Sequence, residues 1–262
     1  MSIPLLDSVK SIERQYLTGE EPVLVMCSDK NAYICKYMRS SMPAYKLVCE
    51  LVGAQMAAAW HLNTPEIAFV RIRPSHWSKI NHSALAIGSR KKDGVVDITP
   101  SISRQVKPNA MPLVQLLRIA LFDFWMANED RNANNANLLY DVLNEVLIPI
   151  DYGCIFNTAT FDFPLSQLTT TDSILNSDLF QYIVRNNHPM VIEAFVSALK
   201  NYYMACVESC GQMSSQILMS MPTDWNVPAD VVGKKLGQLF DSEWIEGVWR
   251  NFTECLTENI EK

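Results

Sequence analysis

Short stretches of alternating apolar and polar residues near the start of the chain predict β-strands. In the third stretch the alternation places Lys36 on the same face as Ile34 and Met38, so its amine lies among apolar side chains. A lysine that reaches outward from a sheet edge is the alternative to a functional amine. The predicted strands of this region are residues 13–17, 22–26, 32–38, 67–72 and 84–87, with tight turns at 18–21 and 29–31.

Apolar residues at helical spacing predict the first helix, from about Pro43 to His61. Glu50 lies beside its apolar stripe and is either a solvated surface charge or the partner of Lys36, fourteen residues earlier. A Lys–Glu pair of this kind would hold the amine in place for a phosphate. The stripe consists of Leu47, Leu51, Ala54 and Ala58.

A second helix, predicted over residues 111–127, is apolar on nearly every face and therefore belongs in a core. Asp123 lies inside it, and a buried carboxylate must be hydrogen-bonded or paired. The nearest donors belong to the polar loop that begins at Asn128, so we expect Asp123 to brace this loop; an exposed carboxylate is the alternative. Further helices are predicted at residues 164–200, 202–221, 229–240 and 242–257.

The polar loop carries the densest candidate chemistry, because residues 127–137 contain one Asp, one Arg and five Asn. A hairpin with predicted strands at 138–141 and 146–151 follows, and Asp151 lies at the end of its second, apolar strand. Two carboxylates with amide oxygens between them are hard ligands of the kind that Mg²⁺ takes. The alternative is an Asn-rich connection that caps the ends of a helix and a strand.

Composition narrows the class of protein. The chain has 262 residues, 48% of them hydrophobic, which is enough for a full core in one large domain or in two small lobes around a cleft. Its net charge of −6 and its scattered basic residues argue against direct nucleic-acid binding. The seven cysteines form no CxxC pair and fit reduced thiols in the cytoplasm. We expect neither a signal peptide nor a membrane-spanning segment.

The order Lys36, Glu50, Asp130, Asp151 is the order in which protein kinases carry their lysine, helix glutamate, catalytic aspartate and metal aspartate. The chain reads Asn-Glu-Asp-Arg-Asn-Ala-Asn-Asn-Ala-Asn-Leu-Leu from Asn128 and Ile-Asp-Tyr-Gly-Cys-Ile-Phe from residue 150. These stretches resemble two motifs of the HipA-like kinases, Asn-x-Asp-Arg-x-x-x-Asn-x-Asn-Leu-Leu and Ile-Asp-His/Tyr-Gly-x-x-Phe. The resemblance covers roughly residues 12–225 and is strongest at 120–156.

The resemblance implies an α+β, protein-kinase-like fold of two lobes. The small antiparallel sheet of the N-lobe would occupy residues 1–75, an irregular connecting segment 76–110, and the mainly helical C-lobe 111–262. The cofactors implied are ATP and Mg²⁺. The activity implied is transfer of the γ-phosphoryl group to a hydroxyl, and the family analogy points to a protein serine or threonine. A possible regulatory partner protein and a bacterial, cytoplasmic location belong to the same expectation.

The resemblance also assigns roles by position. It implies Asp130 as the catalytic aspartate, Lys36 as the contact to the nucleotide phosphates, and Asp151 as the main metal ligand. The metal-binding asparagine has two candidates. Asn135 follows Asp130 by five residues, as in kinases generally, and is slightly favoured; Asn137 directly precedes the Leu-Leu pair, where kinases usually carry this residue.

Five further residues would surround the nucleotide. Glu50 would pair with the lysine, and Gly19 would lie in the phosphate-binding turn. Phe69 would belong to the hinge at residues 69–71, and Leu139 and Ile150 would form an apolar floor under the adenine.

The turn at residues 18–21 departs from the kinase pattern. It has a single glycine, Gly19, followed by Glu20 and Glu21, and these carboxylates would repel a triphosphate unless they point away. A nucleotide-binding or inactive pseudokinase that acts as a protein-interaction module is therefore the first alternative function. A small-molecule or lipid kinase is a weaker one, because phosphatidylinositol kinases have related loops.

Overall fold

The structure, a computed structural model, describes residues 3–40 and 42–261. Residues 1–2, with which the predicted N-lobe begins, and Lys262, with which the predicted C-lobe ends, lie outside the described residues, as does Ser41. Within the described residues, nine strands form two sheets. The strands are β1 (Leu5–Asp7), β2 (Arg14–Gln15), β3 (Val23–Met26), β4 (Ala32–Tyr37), β5 (Ile67–Ile72), β6 (Ala84–Arg90), β7 (Val95–Asp97), β8 (Leu138–Asp141) and β9 (Val146–Pro149).

We call the larger sheet the N-terminal sheet; its strand order is β1–β5–β6–β4–β3–β2. Its neighbouring strands are antiparallel except for β1 and β5, which are parallel. The sheet is therefore mixed, and not purely antiparallel as expected. The difference arises from β1, a three-residue edge strand that is too short to show an alternating pattern.

The N-terminal sheet extends to Arg90, beyond the predicted lobe boundary at residue 75 and the predicted hinge at residues 69–71. Phe69 lies in β5, an interior strand, and the chain leaves the sheet only after β6, through residues 91–94. Gly88 suggested the end of a strand, yet it pairs with Cys35 and Ala68 in the sheet. A Cβ atom at Gly88 would come within 3.0 Å of the Cys35 sulfur, so the glycine serves close packing instead.

Helix α1 (Ala44–Ala59) joins the N-terminal sheet to the helical part of the chain. Its predicted stripe is buried except for Ala58, which is exposed. The residues of α1 belong to the large hydrophobic core of the helices, whereas the opposite face of the N-terminal sheet has a core of its own. The Tyr202 hydroxyl donates to the carbonyl of Trp60 at the end of α1, and Gln55 donates to Ser220. Helix α1 is therefore held at two points by the helical segment that contains Tyr202 and Ser220.

Helix α2 (Ala110–Met126) is the central helix of the large core, as its all-round apolar sequence predicts. Strands β7, β8 and β9 form a smaller sheet, and the β8–β9 hairpin presents residues next to the polar loop. No helix in the described part of the chain combines the length and apolarity that a membrane crossing requires. The remaining helices are α3 (Ile155–Ala159), α4 (Asp178–Arg185), α5 (Pro189–Ser220), α6 (Ala229–Leu239) and α7 (Ser242–Ile260).

Candidate active site

The Lys36 ammonium group lies among three carboxylates from separate parts of the chain. Strand β4 presents Lys36, α1 presents Glu50, and Asp151 follows β9. The Lys36 Nζ atom is 2.5 Å from Glu50 Oε1 and 2.8 Å from Asp151 Oδ1, and it also contacts Glu20. The lysine side chain is only 11% exposed, so it does not reach outward from a sheet edge. Glu50, likewise, is the partner of Lys36 and not a solvated surface charge.

These charges determine one another's protonation. Burial by itself lowers the pKa of the Lys36 ammonium, but Glu50, Asp151 and Glu20 outweigh burial and hold that pKa well above its usual value. Burial raises the pKa of the Glu50 carboxyl. Burial also opposes ionisation of Asp151, yet the neighbouring Lys36 prevails and keeps the pKa of this carboxyl below its usual range. At neutral pH, Lys36 is therefore charged and Asp151 is ionised.

Asp130 and Asn137 form a second group in the polar loop after α2. The Asn137 Nδ2 atom donates to Asp130 Oδ2 at 2.9 Å, so the amide nitrogen of Asn137 faces Asp130. The backbone of Asn137 has φ of 45°, a left-handed conformation that asparagine tolerates better than most residues.

Asn135 lies apart from this pair, although its spacing favoured it as the metal ligand. Its side chain is exposed, and its backbone N–H and C=O exchange hydrogen bonds with Asn132 at 3.3 and 3.0 Å. It borders a different cavity of about 140 Å³, whose apolar wall includes Ile98 and Ile174. The loop is two residues longer than the spacing argument assumes, and the geometry therefore favours Asn137.

Arg131 is fully buried and ties the polar loop to the end of β9. Its guanidinium group donates to the carbonyl of Asn137 and, at 3.0 Å, to the carbonyl of Ile150. Its Nε atom donates to Asp123 Oδ2 at 2.8 Å, and Asn128 donates to the other oxygen of Asp123. The expectation that Asp123 braces the loop is confirmed. Burial raises the pKa of Asp123 to about 6, against the opposing effect of Arg131 and Asn128.

The lysine cluster and the Asp130 pair share one neighbourhood. The backbone carbonyl of Asn137 accepts from the backbone N–H of Ile150 at 3.0 Å, so the polar loop lies against the residue before Asp151. Burial raises the pKa of the Cys154 thiol to about 12, and the carboxylates of Asp130, Asp151 and Glu20 add to the shift. The structure thus brings together five residues from four segments of the chain: Lys36, Glu50, Asp130, Asn137 and Asp151.

The turn at residues 18–21 enters this site. Glu20 contacts Lys36 with one carboxylate oxygen, and its other oxygen is 2.9 Å from the Nζ atom of Lys46, near the start of α1. Glu21 points away and pairs with Arg39 at 2.8 Å. Gly19 is exposed, and no atom lies within 4 Å of where its Cβ would be, so the structure does not place Gly19 against the site.

The three apolar residues expected around the nucleotide have different positions. Phe69 and Lys36 both pair with Ile87 of β6 and so share a row on one face of the N-terminal sheet. The Phe69 ring meets Trp225 edge-on, with ring centroids 5.8 Å apart. Leu139 in β8 and Ile150 after β9 are half-buried on the hairpin that carries Asn137 and Asp151. Their contact with an adenine remains a prediction.

The model of the HipA-like kinase family matches residues 9–246. The chain belongs to the HipA-like kinase family. Membership supports a phosphotransferase, and the matched range includes both the Lys36 strand and the Asp130 loop. Comparison with curated protein sequences gives no match.

Solved structures confirm the fold of this HipA-like kinase chain. The crystal structure of a Helicobacter pylori proinflammatory kinase, CtkA, matches with a TM-score of 0.59 at 13% identity, over 96% of this chain and 99% of that one. A Golgi casein kinase matches with a TM-score of 0.43 at 10% identity, over 96% of this chain and 75% of that one. The same kinase with Mn/ADP bound matches with a TM-score of 0.37 at 9% identity, over 99% and 73%. The CtkA likeness supports the two-lobed, protein-kinase-like α+β fold.

Several residues of the HipA-like kinase site escaped the sequence reasoning. Nothing in the sequence distinguished Lys46 from other lysines in predicted helices. Arg131 is part of the family motif, but the motif assigned it no role. Glu129, next to the proposed catalytic aspartate, accepts from Asn157 Nδ2 at 2.6 Å. Asn157 lies in α3, where φ is positive at Phe156, Asn157 and Thr158, an uncommon left-handed run. The density of polar side chains in the loop was a signal for Glu129 and Arg131, whereas no sequence pattern pointed to Lys46 or Asn157.

Proposed function

We propose that this chain is an ATP- and Mg²⁺-dependent kinase that transfers the γ-phosphoryl group to a hydroxyl, with a protein serine or threonine as the acceptor. The observation that carries the proposal is the Lys36 ammonium bound by Glu50 and Asp151, which lie 14 and 115 residues away in the chain. A purely structural polar loop would not require a buried lysine at the same place. The acceptor class rests on family analogy.

The residues present fit a magnesium ion. Asp151 is ionised because its pKa is lowered, and the amide oxygen of Asn137 is left free by the bond from its nitrogen to Asp130. Both are hard oxygen ligands, as Mg²⁺ prefers. When bound, the ion would neutralise negative charge on the nucleotide phosphates. Asp151 and Asn137 are therefore the residues that we expect to hold it.

The other side chains have roles that follow from their chemistry. Lys36, oriented by Glu50, would bind phosphate oxygens of the nucleotide. Asp130, oriented by Asn137, would accept the proton of the attacking hydroxyl. The hydroxyl oxygen forms a bond to the γ-phosphorus, the bond from that phosphorus to the β–γ bridging oxygen breaks, and ADP leaves with the electron pair.

One observation favours the pseudokinase alternative. Glu20 occupies both Lys36 and Lys46, the cations that would otherwise meet a phosphate. If Glu20 cannot be displaced, the chain would keep the kinase fold as a binding module without transfer activity. Measurement of phosphoryl transfer alongside nucleotide binding separates the two functions.

The test compares the wild type with Asp151→Ala and Asp130→Asn. We expect Mg-ATP to raise the free energy of unfolding of the wild type, by about 2.7 kcal/mol at 100 times Kd, and to stabilise Asp151→Ala far less. Asp130→Asn should still bind Mg-ATP but lose at least about a hundredfold in phosphoryl transfer, because the proton acceptor is gone. Thermal shift and radiolabelled transfer to serine and threonine peptides report the two effects.

A matched control is Asp93→Asn, an exposed carboxylate in a surface ion pair with Lys91. It should bind and transfer like the wild type. Absence of a Mg-ATP shift in the wild type would remove the nucleotide-binding proposal. Binding without any transfer would instead favour the pseudokinase.

A further inference from the structure

Glu20 joins two lysines in the candidate site. One of its carboxylate oxygens contacts Lys36, and the other is 2.9 Å from Lys46 Nζ. The Glu20 side chain is only 13% exposed, so this carboxylate is withdrawn from solvent into the site. The Glu20 carboxylate raises the pKa of Lys46 against the effect of burial. A carboxylate between two ammonium groups occupies a position that suits phosphate oxygens equally well.

The turn that carries Glu20 is held in place from outside the site. Arg39 pairs with the Glu21 carboxylate at 2.8 Å, and its guanidinium also donates to the carbonyls of Glu20 and Glu21. Glu21 has φ of 40°, a left-handed conformation that costs a residue other than glycine some backbone strain. Arg39 therefore fixes a turn that directs Glu20 inward and Glu21 outward.

The three carboxylates around Lys36 differ in how they are anchored. Glu50 comes from α1, and Asp151 is held beside the fully buried Arg131 network. Glu20 comes from a turn whose neighbours Thr18 and Gly19 are exposed. The oxygens of Glu20, Glu50 and Asp151 lie within 4.8 Å of one another, and the Lys36 ammonium contacts all three and offsets part of their negative charge. Glu20 is the carboxylate that can leave without unfolding a helix or a sheet.

We propose that Lys46 is a second phosphate-binding residue beside Lys36, and that Glu20 is an internal anion that occupies both lysines until a nucleotide phosphate displaces it. This proposal rests on the proposed function, because it concerns the same nucleotide site. It assigns the glycine-poor turn a role: the turn supplies a competitor for the phosphates where other kinases supply backbone N–H groups. Affinity for the nucleotide is then set by how easily Glu20 moves.

The test measures binding of ATP, adenosine and inorganic tripolyphosphate by calorimetry, with and without Mg²⁺. Glu20→Gln removes the charge and keeps the size of the side chain. We expect it to tighten ATP and tripolyphosphate binding by about tenfold or more and to leave adenosine binding unchanged, because the competitor occupies only the phosphate position. Lys46→Met in the Glu20→Gln background should reverse most of that gain.

Three further variants make the result specific. Arg39→Gln releases the turn without changing a charge that contacts Lys36 or Lys46, so we expect it also to tighten ATP binding. The exposed ion pair of Lys107 with Glu145 gives matched controls, Lys107→Met and Glu145→Gln, which should leave all three affinities unchanged. Circular dichroism of each variant verifies that it is folded.

Other outcomes overturn the proposal in distinguishable ways. Weaker ATP binding by Glu20→Gln would make Glu20 a ligand of the nucleotide or its metal. An equal gain for adenosine would mean that Glu20 acts through the shape of the site and not through the phosphates. If tripolyphosphate binds through Lys46 while ATP binds no variant, the phosphate site stands and the kinase proposal fails. If none of the probes binds any variant, both proposals fail.

Discussion

Two asparagines of the polar loop, Asn135 and Asn137, lie two positions apart but make different contacts. The side chain of Asn137 donates to Asp130, and its backbone carbonyl accepts from Arg131 and from the backbone N–H of Ile150. Asn135, in contrast, is exposed and forms a local turn with Asn132. The residue that links the two parts of the site is therefore the one in the left-handed conformation, because that conformation turns the chain from the loop into β8.

The asparagine that holds the metal can be identified with glycine substitutions. Asn137→Gly keeps the left-handed backbone accessible and removes the side chain, so its effect is on the site and not on backbone strain. We expect phosphoryl transfer to fall by at least about a hundredfold and the Mg²⁺ dependence of ATP binding to weaken. Transfer assays and titrations with Mg²⁺ or EDTA measure the two effects. Asn135→Gly is the matched control, and a larger loss there than at residue 137 would reverse the assignment.

At the scale of elements, the site depends on how closely α1 approaches the end of β9. The Glu50 Oε2 atom accepts from the backbone N–H of Tyr152 at 3.1 Å. Gly53 lies one helical turn after Glu50 in α1. A Cβ atom at Gly53 would lie 2.3 Å from the Tyr152 Cβ, so only glycine permits this contact. Glu50 can reach Lys36 and the residue after Asp151 at once because the helix lies this close.

Gly53→Ala tests the close approach. Alanine is a better helix former than glycine, but here the added methyl must push α1 away from Tyr152, so we expect a net loss of about 1–3 kcal/mol in the free energy of unfolding. The shift should also weaken ATP binding, because Glu50 moves with the helix. Urea unfolding and nucleotide titration measure both. The control is Gly237→Ala in α6, where no atom lies within 4 Å of the added carbon; it should stabilise by about 0.5–1 kcal/mol.

The sequence predicted the bounds of helices and strands better than the contacts between them. The boundaries of α1, α2, β5 and β8 are within two residues of the prediction, because each has a strong apolar period and a clear terminus. The Lys36–Glu50 pair was one of two open alternatives, since spacing alone cannot show which face of a helix meets which strand. The Gly53–Tyr152 contact joins segments about a hundred residues apart, and no local pattern encodes it.

Some errors had local causes. Gly88 was taken as the end of a strand because glycine often marks one, whereas here it allows Cys35, Tyr33 and Val70 to pack closely. The inward position of Glu20 depends on Arg39, nineteen residues later, whose role appears only when β4 is folded beside the turn. Its two adjacent glutamates had marked this turn as a departure from the kinase pattern.

At the scale of the whole molecule, the N-terminal sheet and the helices share one structural unit. The large core includes α1 and Ile87 of β6 together with α2 and α5. Trp225, which follows α5, is 2% exposed and donates to the carbonyl of Leu85 in β6 at 3.1 Å, while its ring meets Phe69 of β5. The sheet that carries Lys36 is thus attached to the helices on both sides of the site. We therefore expect the described part of the chain to unfold as one cooperative unit.

Two tryptophan substitutions test this cooperativity. Trp225→Phe keeps the contact with Phe69 but removes the bond between the sheet and the helices, and Trp77→Phe removes the bond to the Tyr37 hydroxyl on the far face of the sheet. If the molecule is one unit, each substitution lowers the same single transition by about 1–3 kcal/mol, since each leaves a hydrogen-bond partner unpaired. Circular dichroism and the fluorescence of the remaining tryptophans should then give coincident urea transitions with an unchanged slope. An early transition that responds to Trp77→Phe alone would mean that the N-terminal sheet unfolds independently, and Lys36 could then part from Asp151 without loss of the helical core.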